Sequence, residues 1–377
     1  MRSKSGLVAV AALAFGVAVG GCSQPSQLPV PFAGRSQTAL ATENGFTASV
    51  TGRARFTFFA AIRSSRGGPG GFLGPGELGV YPAAANGNVA PAHVIAGRKT
   101  GLFEAGGCCV PQSAFFDSSG DALWTCRTFS KFVSVFPLNR GPGSWGDVKP
   151  AARLVISPQT VSCGGVALTK ESEIVADDVN QGFVATWRAG STGNAAPIRK
   201  IAGPATRLYL PSQITFDGMG DYIVSDRCGP PKCTAHYGGE ILTFGPRADG
   251  NVAPLRWLAG SNTHLSGPNR IAYDPVHNLI YAANLDASTI TAYPAGASGN
   301  VTPTIFIHGK KTQLWNPDAI AVDEAGYLYV GNEPLVPGPP PASILVFAPG
   351  ANGNVAPVQV IQGSKTQLAE VNGIAVH

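Results

Sequence analysis

Short apolar runs rich in Val, Ile, Tyr and Phe recur along most of this chain. Each is bounded by Gly, Asp, Asn or Pro, which is the signature of β-strands joined by tight polar turns. Four kinds of run follow one another in a fixed order. Run A reads like Ala319-Ile320-Ala321-Val322-Asp323, with versions at 112–117, 164–168, 213–217, 270–274 and 373–377. Run B reads like Tyr327-Leu328-Tyr329-Val330-Gly331-Asn332, with versions at 121–126, 173–177, 221–226 and 278–284. Run C carries one aromatic residue: Tyr81, Phe136, Trp187, Phe244, Tyr293 or Phe347. Run D covers 93–97, 153–157, 199–203, 256–260, 305–309 and 359–363.

Between C and D the chain repeats one pentapeptide. Written Gly250-Asn251-Val252-Ala253-Pro254, it returns at 87–91, 299–303 and 353–357, and in degraded form at 146–150 and 193–197. Its prolines recur about every 50 residues, the period of propeller blades. After residue 120 the series lacks one B run, and 55–61 near the start supplies it. The first blade then takes A from 373–377, B from 55–61, C from 77–82 and D from 93–97. The runs share out as six sets of four. The expected fold is all-β: a six-bladed β-propeller of four-stranded antiparallel blades over 51–377. It is closed by pairing of the N- and C-terminal strands in one blade, which hides edge strands.

Composition agrees with a turn-dense β protein. Charged residues make up only 13%, while Gly contributes 48 and Pro 31 of 377 residues. Hydrophobic residues at 44% exclude disorder as the class of the whole chain. The net charge of +5 comes from scattered Lys and Arg. Without a basic run or an aromatic stripe, nucleic acid is not an expected partner.

Residues 1–21 read as a targeting segment. Arg2 and Lys4 precede an apolar run at 7–19, which ends in Val19-Gly20-Gly21-Cys22. This resembles the bacterial lipoprotein lipobox, with Val19 where Leu is preferred. The resemblance implies cleavage before Cys22 and attachment of acyl chains, of the palmitate type, to its thiol and new amino group. An ordinary secretory signal is the alternative. The expected location is the bacterial cell envelope, lipid-anchored, and the outer membrane in a two-membrane cell. Residues 22–50, with Pro25, Pro29 and Pro31 among Ser, Gln, Thr and Ala, read as a tether.

Six further cysteines in an exported chain point to disulfides. Cys228 and Cys233 close a small loop between runs B and C. Cys108, Cys109, Cys126 and Cys163 allow three pairings, and the expected ones join Cys108 or Cys109 to Cys126 and to Cys163. Zinc is the weaker alternative, since paired C-x-x-C spacing is absent.

The stretch from Pro317 to Asn332, with its echoes at 268–284 and 211–226, resembles the NHL repeat over about 55–377. NHL and related six-bladed propellers include binding modules, lactonases, gluconolactonase-like hydrolases and an amidating lyase. The resemblance therefore speaks to fold and not to activity. It implies that the B–C and D–A loops open on one face, around a central channel. The long B–C loops are 62–76, 227–239 and 333–342. Asp177, Asp226, Asn284 and Asn332 end B runs at that mouth, and Asn269, Asn316, Asp318 and Asn372 precede or begin A runs there. In gluconolactonase-like enzymes such oxygens hold a single Ca²⁺-type cation that polarises an ester carbonyl. The competing reading is that Asp and Asn cap strand ends and turns, and their periodic recurrence favours it.

On the opposite face, Asp117, Asp217, Asp274 and Asp323 read as turn residues. The repeated Thr100, Thr206, Thr263, Thr312 and Thr366 are expected to bond the backbone between blades, and the repeated Gly-Asn to serve the C–D turn. The six His residues are dispersed, with no H-E-x-x-H, triad spacing or G-x-S-x-G elbow. The expected function is binding of a protein or cell-envelope polymer by a monomeric, membrane-anchored propeller whose repeat shows no catalytic departure. A cation-dependent lactonase-like hydrolase or lyase is the alternative.

Overall fold

A computed structural model describes residues 57–63, 76–102, 111–117, 120–127, 131–138, 145–157, 162–228, 238–334 and 340–376. The targeting segment, Cys22 and the tether at 22–50 lie outside the described residues. So do Cys108, Cys109 and Cys233, and most of the three long B–C loops.

The described strands form six four-stranded antiparallel sheets. The second sheet runs, in order A to D, through Pro111–Phe116, Ala122–Arg127, Phe132–Pro137 and Ala152–Val155. The third runs through Val166–Leu168, Ile174–Asp178, Phe183–Trp187 and Arg199–Ala202. The fourth comprises Pro211–Phe216, Tyr222–Asp226, Glu240–Phe244 and Arg256–Leu258. The fifth comprises Pro268–Asp274, Leu279–Asn284, Thr289–Pro294 and Ile305–Ile307. The sixth comprises Pro317–Val322, Leu328–Asn332, Ser343–Phe347 and Gln359–Gln362. These five use four consecutive strands each. The first sheet instead joins Val371–Val376, as its A strand, to Thr57–Arg63, Gly76–Pro82 and His93–Ile95. Phe58 pairs with Val376 and Ala60 with Ile374 across that join. The first B strand thus sits two residues later than the 55–61 expected from sequence.

Neighbouring A strands pack on one another from the first sheet through the sixth, and the sixth packs on the first. Between each pair of sheets lies an apolar cluster, and each contains one C-strand aromatic from the repeat. Phe136 fills the gap beside Leu78, Val80 and Ile95, Trp187 that beside Val133 and Leu154, and Phe244 that beside Val184 and Ile201. Tyr293 lies against Ile241 and Leu258, Phe347 against Ile290 and Ile307, and Tyr81 against Ile344 and Ile361. All six rings are buried. An aromatic of this kind contributes about 3–5 kcal/mol to a core, so one per interface is the main apolar bond between sheets.

The repeated Gly-Asn adds a polar clasp on the outside. Each repeat glycine forms a parallel bridge to the D strand of the preceding sheet, from Ile95↔Gly146 through Ile307↔Gly353 and on to Gly87↔Ile361. In five of the six copies the next side chain accepts a backbone N–H from the short 3₁₀ turn that follows that D strand. Asn251 takes it from Ala205 at 2.8 Å, Asn300 from Asn262 at 2.7 Å and Asn354 from Lys311 at 2.9 Å. Asn88 takes it from Lys365 at 2.7 Å, and Asp147 from Lys99 at 2.6 Å. Each of these D strands ends at or just before a second glycine, Gly97, Gly203, Gly260, Gly309 or Gly363, whose φ between 97° and 122° lies in a region open to glycine alone.

Two expected roles are therefore exchanged. The repeated Thr is the local device: Oγ1 of Thr100, Thr206, Thr263, Thr312 and Thr366 donates to the glycine carbonyl three residues back, at 2.6–2.7 Å. The repeated Asn is the one that ties sheet to sheet. A side chain this short can reach across only because the C–D link wraps onto the preceding sheet's edge.

Candidate functional site at the channel mouth

Arg270 occupies the third position of the fifth A strand, where the other sheets carry Ser113, Gly165, Gln213, Ala319 and Gly373. Four of those five residues are small, which leaves room for the Arg270 side chain to cross the centre of the ring of A strands. It is 3% exposed. Its Nε donates to the carbonyl oxygens of Asp318 at 3.2 Å and Asn372 at 3.0 Å. Its Nη1 donates to Gly164 O at 3.1 Å and Ser212 O at 2.6 Å, and Nη2 to Gln112 Oε1 at 2.8 Å. One guanidinium thus touches all five other sheets. The Asp318 carboxylate, 3.6 Å from Nε, supplies the counter-charge. A buried arginine is tolerated only when its fork of donors is satisfied in this way. Arg270 is a departure from the repeat that sequence reasoning did not weigh.

Asp318 is in turn held from both sides. Asn269 Nδ2 donates to its Oδ1 and Asn372 Nδ2 to its Oδ2, the latter at 3.1 Å. Glu333, the first residue beyond the sixth B strand, is hydrogen-bonded to Asp318. Burial, then the Asp318 charge and then that of Glu370, push the Glu333 carboxyl up to about 9, against the opposing pull of Arg270. These influences favour the protonated form of Glu333. A neutral acid beside a carboxylate can donate to it rather than repel it.

The other expected mouth residues do not join this cluster. Asp226 accepts the N–H groups of Tyr209, Leu210 and Cys228, with Tyr209 N at 2.6 Å. Burial still raises its carboxyl to about 6. Asn284 accepts Ser266 N at 3.1 Å and Asn332 accepts Trp315 N at 3.0 Å. Asp177 accepts Gly164 N at 2.6 Å and Gly165 N at 3.0 Å, while burial lifts it to about 8. These four cap the link into their own A strand. Asn316 (φ 40°) uses its N–H on Ser288 Oγ, and its carbonyl accepts Glu333 N at 3.1 Å. Of the eight expected positions, Asn269, Asp318 and Asn372 converge. Arg270, Gln112, Glu333 and Glu370 complete the cluster without having been expected; only Arg270 left a signal in the repeat.

Among the described residues, no group of three or more His, Cys, Asp or Glu side chains is arranged to hold a metal ion. The disulfide expectation is corrected in one respect. Cys126 and Cys163, both fully buried, pair with each other across the second and third sheets, with Cα atoms 5.8 Å apart. Strand B of one sheet ends beside the start of strand A in the next, which brings these two thiols together and takes both from Cys108 and Cys109. Cys228 is also disulfide-bonded.

No family model matches the chain, and no curated protein matches it. Solved structures do resemble it. One, from a crystal structure of a nidogen/laminin complex, superposes with a TM-score of 0.57 at 13% identity, over 85% of this chain and 98% of that one. Another, a protein of unknown function from Bacteroides caccae, gives a TM-score of 0.56 at 10% identity, over 86% and 99%. At such identities the likeness is one of fold: the chain is an all-β propeller of four-stranded antiparallel blades.

Proposed function

We propose that this chain is an exported, lipid-anchored, six-bladed NHL-like propeller. It binds a protein or cell-envelope polymer at the mouth where its A strands begin. The Arg270 bridge carries the reading. A guanidinium tied to five neighbouring sheets turns the centre into a fixed floor, so the mouth is a shallow polar surface. The buried Asn269, Asp318 and Asn372 support it from beneath, with half-buried Glu333 beside them. Tyr209 and Trp315, each 47% exposed, stand in the links held by Asp226 and Asn332. Exposed aromatic rings on a rigid frame are the usual anchors of a binding surface. Six sheets, six interface aromatics and the join of 371–376 to 57–63 support a closed six-bladed ring. The Cys22 lipobox supports the anchor, and Ca²⁺-assisted hydrolysis is less well supported because four of its eight expected ligands, Asp177, Asp226, Asn284 and Asn332, are engaged with backbone N–H groups.

The test immobilises the full chain, as wild type and as Tyr209→Ala/Trp315→Ala, and exposes both to solubilised envelope and to purified cell-wall polymer. One defined partner held by the wild type and lost about tenfold by the variant supports the reading. Equal retention by both, or lactone turnover abolished by chelation, overturns it.

A further inference from the structure

The A–B turns lie at the end of the sheets opposite the mouth. Four of them are built alike, with Asp117, Asp217, Asp274 and Asp323 each accepting two backbone N–H groups of its own turn. Turns locked in this way cannot fold their tips inward. Two tips are nevertheless large and apolar: Met219 is 73% exposed and Val276 61%, on the adjacent fourth and fifth sheets. Leu255 and Val358, 60% and 51% exposed, precede D strands at the same end. They are four of the seven large hydrophobic side chains exposed among the described residues, and a concentration of exposed apolar groups at one end marks a contact surface.

The chain also enters the propeller at this end. Thr57 pairs with Pro82, and Phe58 with Val376 at the far end of the first A strand. The segment preceding Thr57 is therefore joined to the propeller on the side that bears the apolar tips.

We propose that the A–B turn end rests on a lipid bilayer surface, with Met219 and Val276 seated among the headgroups and the mouth turned away. The inference rests on the lipid-anchor reading above. Exposed charges at this end are mixed: Lys170, Arg188 and Arg247 stand against Glu171, Asp249 and Glu324. Lys170 Nζ bonds Gly218 O at 3.0 Å, next to Met219. Apolar contact rather than net charge drives the docking, so a zwitterionic bilayer suffices.

Met219 is the only methionine besides Met1, so peroxide oxidation reads a single residue of the propeller. The full lipidated chain in phosphatidylcholine vesicles is compared with the soluble Cys22→Ala chain. Sulfoxide formation at Met219 and amide exchange at 217–221 and 274–278 slow severalfold on vesicles, while 314–316 is unchanged. Equal rates at both turns, with acyl chains found on Cys22, overturn the orientation alone. An unmodified Cys22 in chain recovered from cells overturns the anchor reading and this inference with it.

Discussion

Arg270 Nη1 and the Ser212 carbonyl oxygen, 2.6 Å apart, form the shortest of five bonds by which one side chain reaches every other sheet. Removing that side chain strands the Asp318 carboxylate and five backbone or amide acceptors in a buried centre. Arg270→Ala is therefore expected to cost about 3–5 kcal/mol, read from the midpoint of urea unfolding. Arg270→Lys recovers little of it, because an ammonium cannot reproduce the planar fork.

Glu333 and Asp177 set an unusual pH dependence. Both carboxyls are raised in the folded chain, to about 9 and about 8, chiefly by burial. Their contribution is complete below the unfolded value near 4 and is lost as pH climbs through the folded values. Stability accordingly falls between about pH 5 and 9, by up to about 1.4 kcal/mol per pH unit for each group. Thermal melts across this range check it. Glu333→Gln flattens the profile and gains on the wild type at pH 8, with little difference at pH 4.

The external clasp separates two terms. Asn300→Ala removes one exposed hydrogen bond, to Asn262 N, and costs about 0.5–1.5 kcal/mol. Gly260→Ala, at φ +116° and with its new Cβ 2.5 Å from Asn300, costs about 2 kcal/mol or more. Denaturant unfolding of the two variants ranks them in that order.

Reduction of the Cys126–Cys163 bond releases a 37-residue separation. Cys126→Ser/Cys163→Ser is expected to lose about 2–4 kcal/mol on loop-entropy scaling. The wild type in strong reductant should approach the variant's melting temperature.

Strand order is readable in this chain because each sheet repeats its own turn chemistry over a few residues. Asp217-Gly218 and Gly250-Asn251 announce where the chain reverses, whatever lies across the gap. What the side chains meet in the next sheet is not local. Asn251 looks like a turn residue until its partner Ala205 is seen, and Thr206, read as a tie between sheets, bonds Gly203 instead. The Cys126–Cys163 pairing depends on how two sheets are rotated about the axis. At the mouth, Asn269, Asp318 and Asn372 were legible as polar residues near strand starts, whereas Glu333 gained its role from burial beside Asp318. Arg270 was visible as an oversized residue at a small-residue position, but the carbonyls it gathers belong to five separate stretches of chain.

The first sheet draws its innermost strand, Val371–Val376, from the opposite end of the polypeptide to its neighbour Thr57–Arg63. During synthesis, every other sheet can be assembled while that B strand waits with one bare edge. A product that stops before Val371 lacks the segment meant for it, and the exposed edge is open to pairing with another unfinished chain. The first sheet therefore closes only when Val371–Val376 has been made, since its pairing with Thr57–Arg63 is what removes the sticky edge.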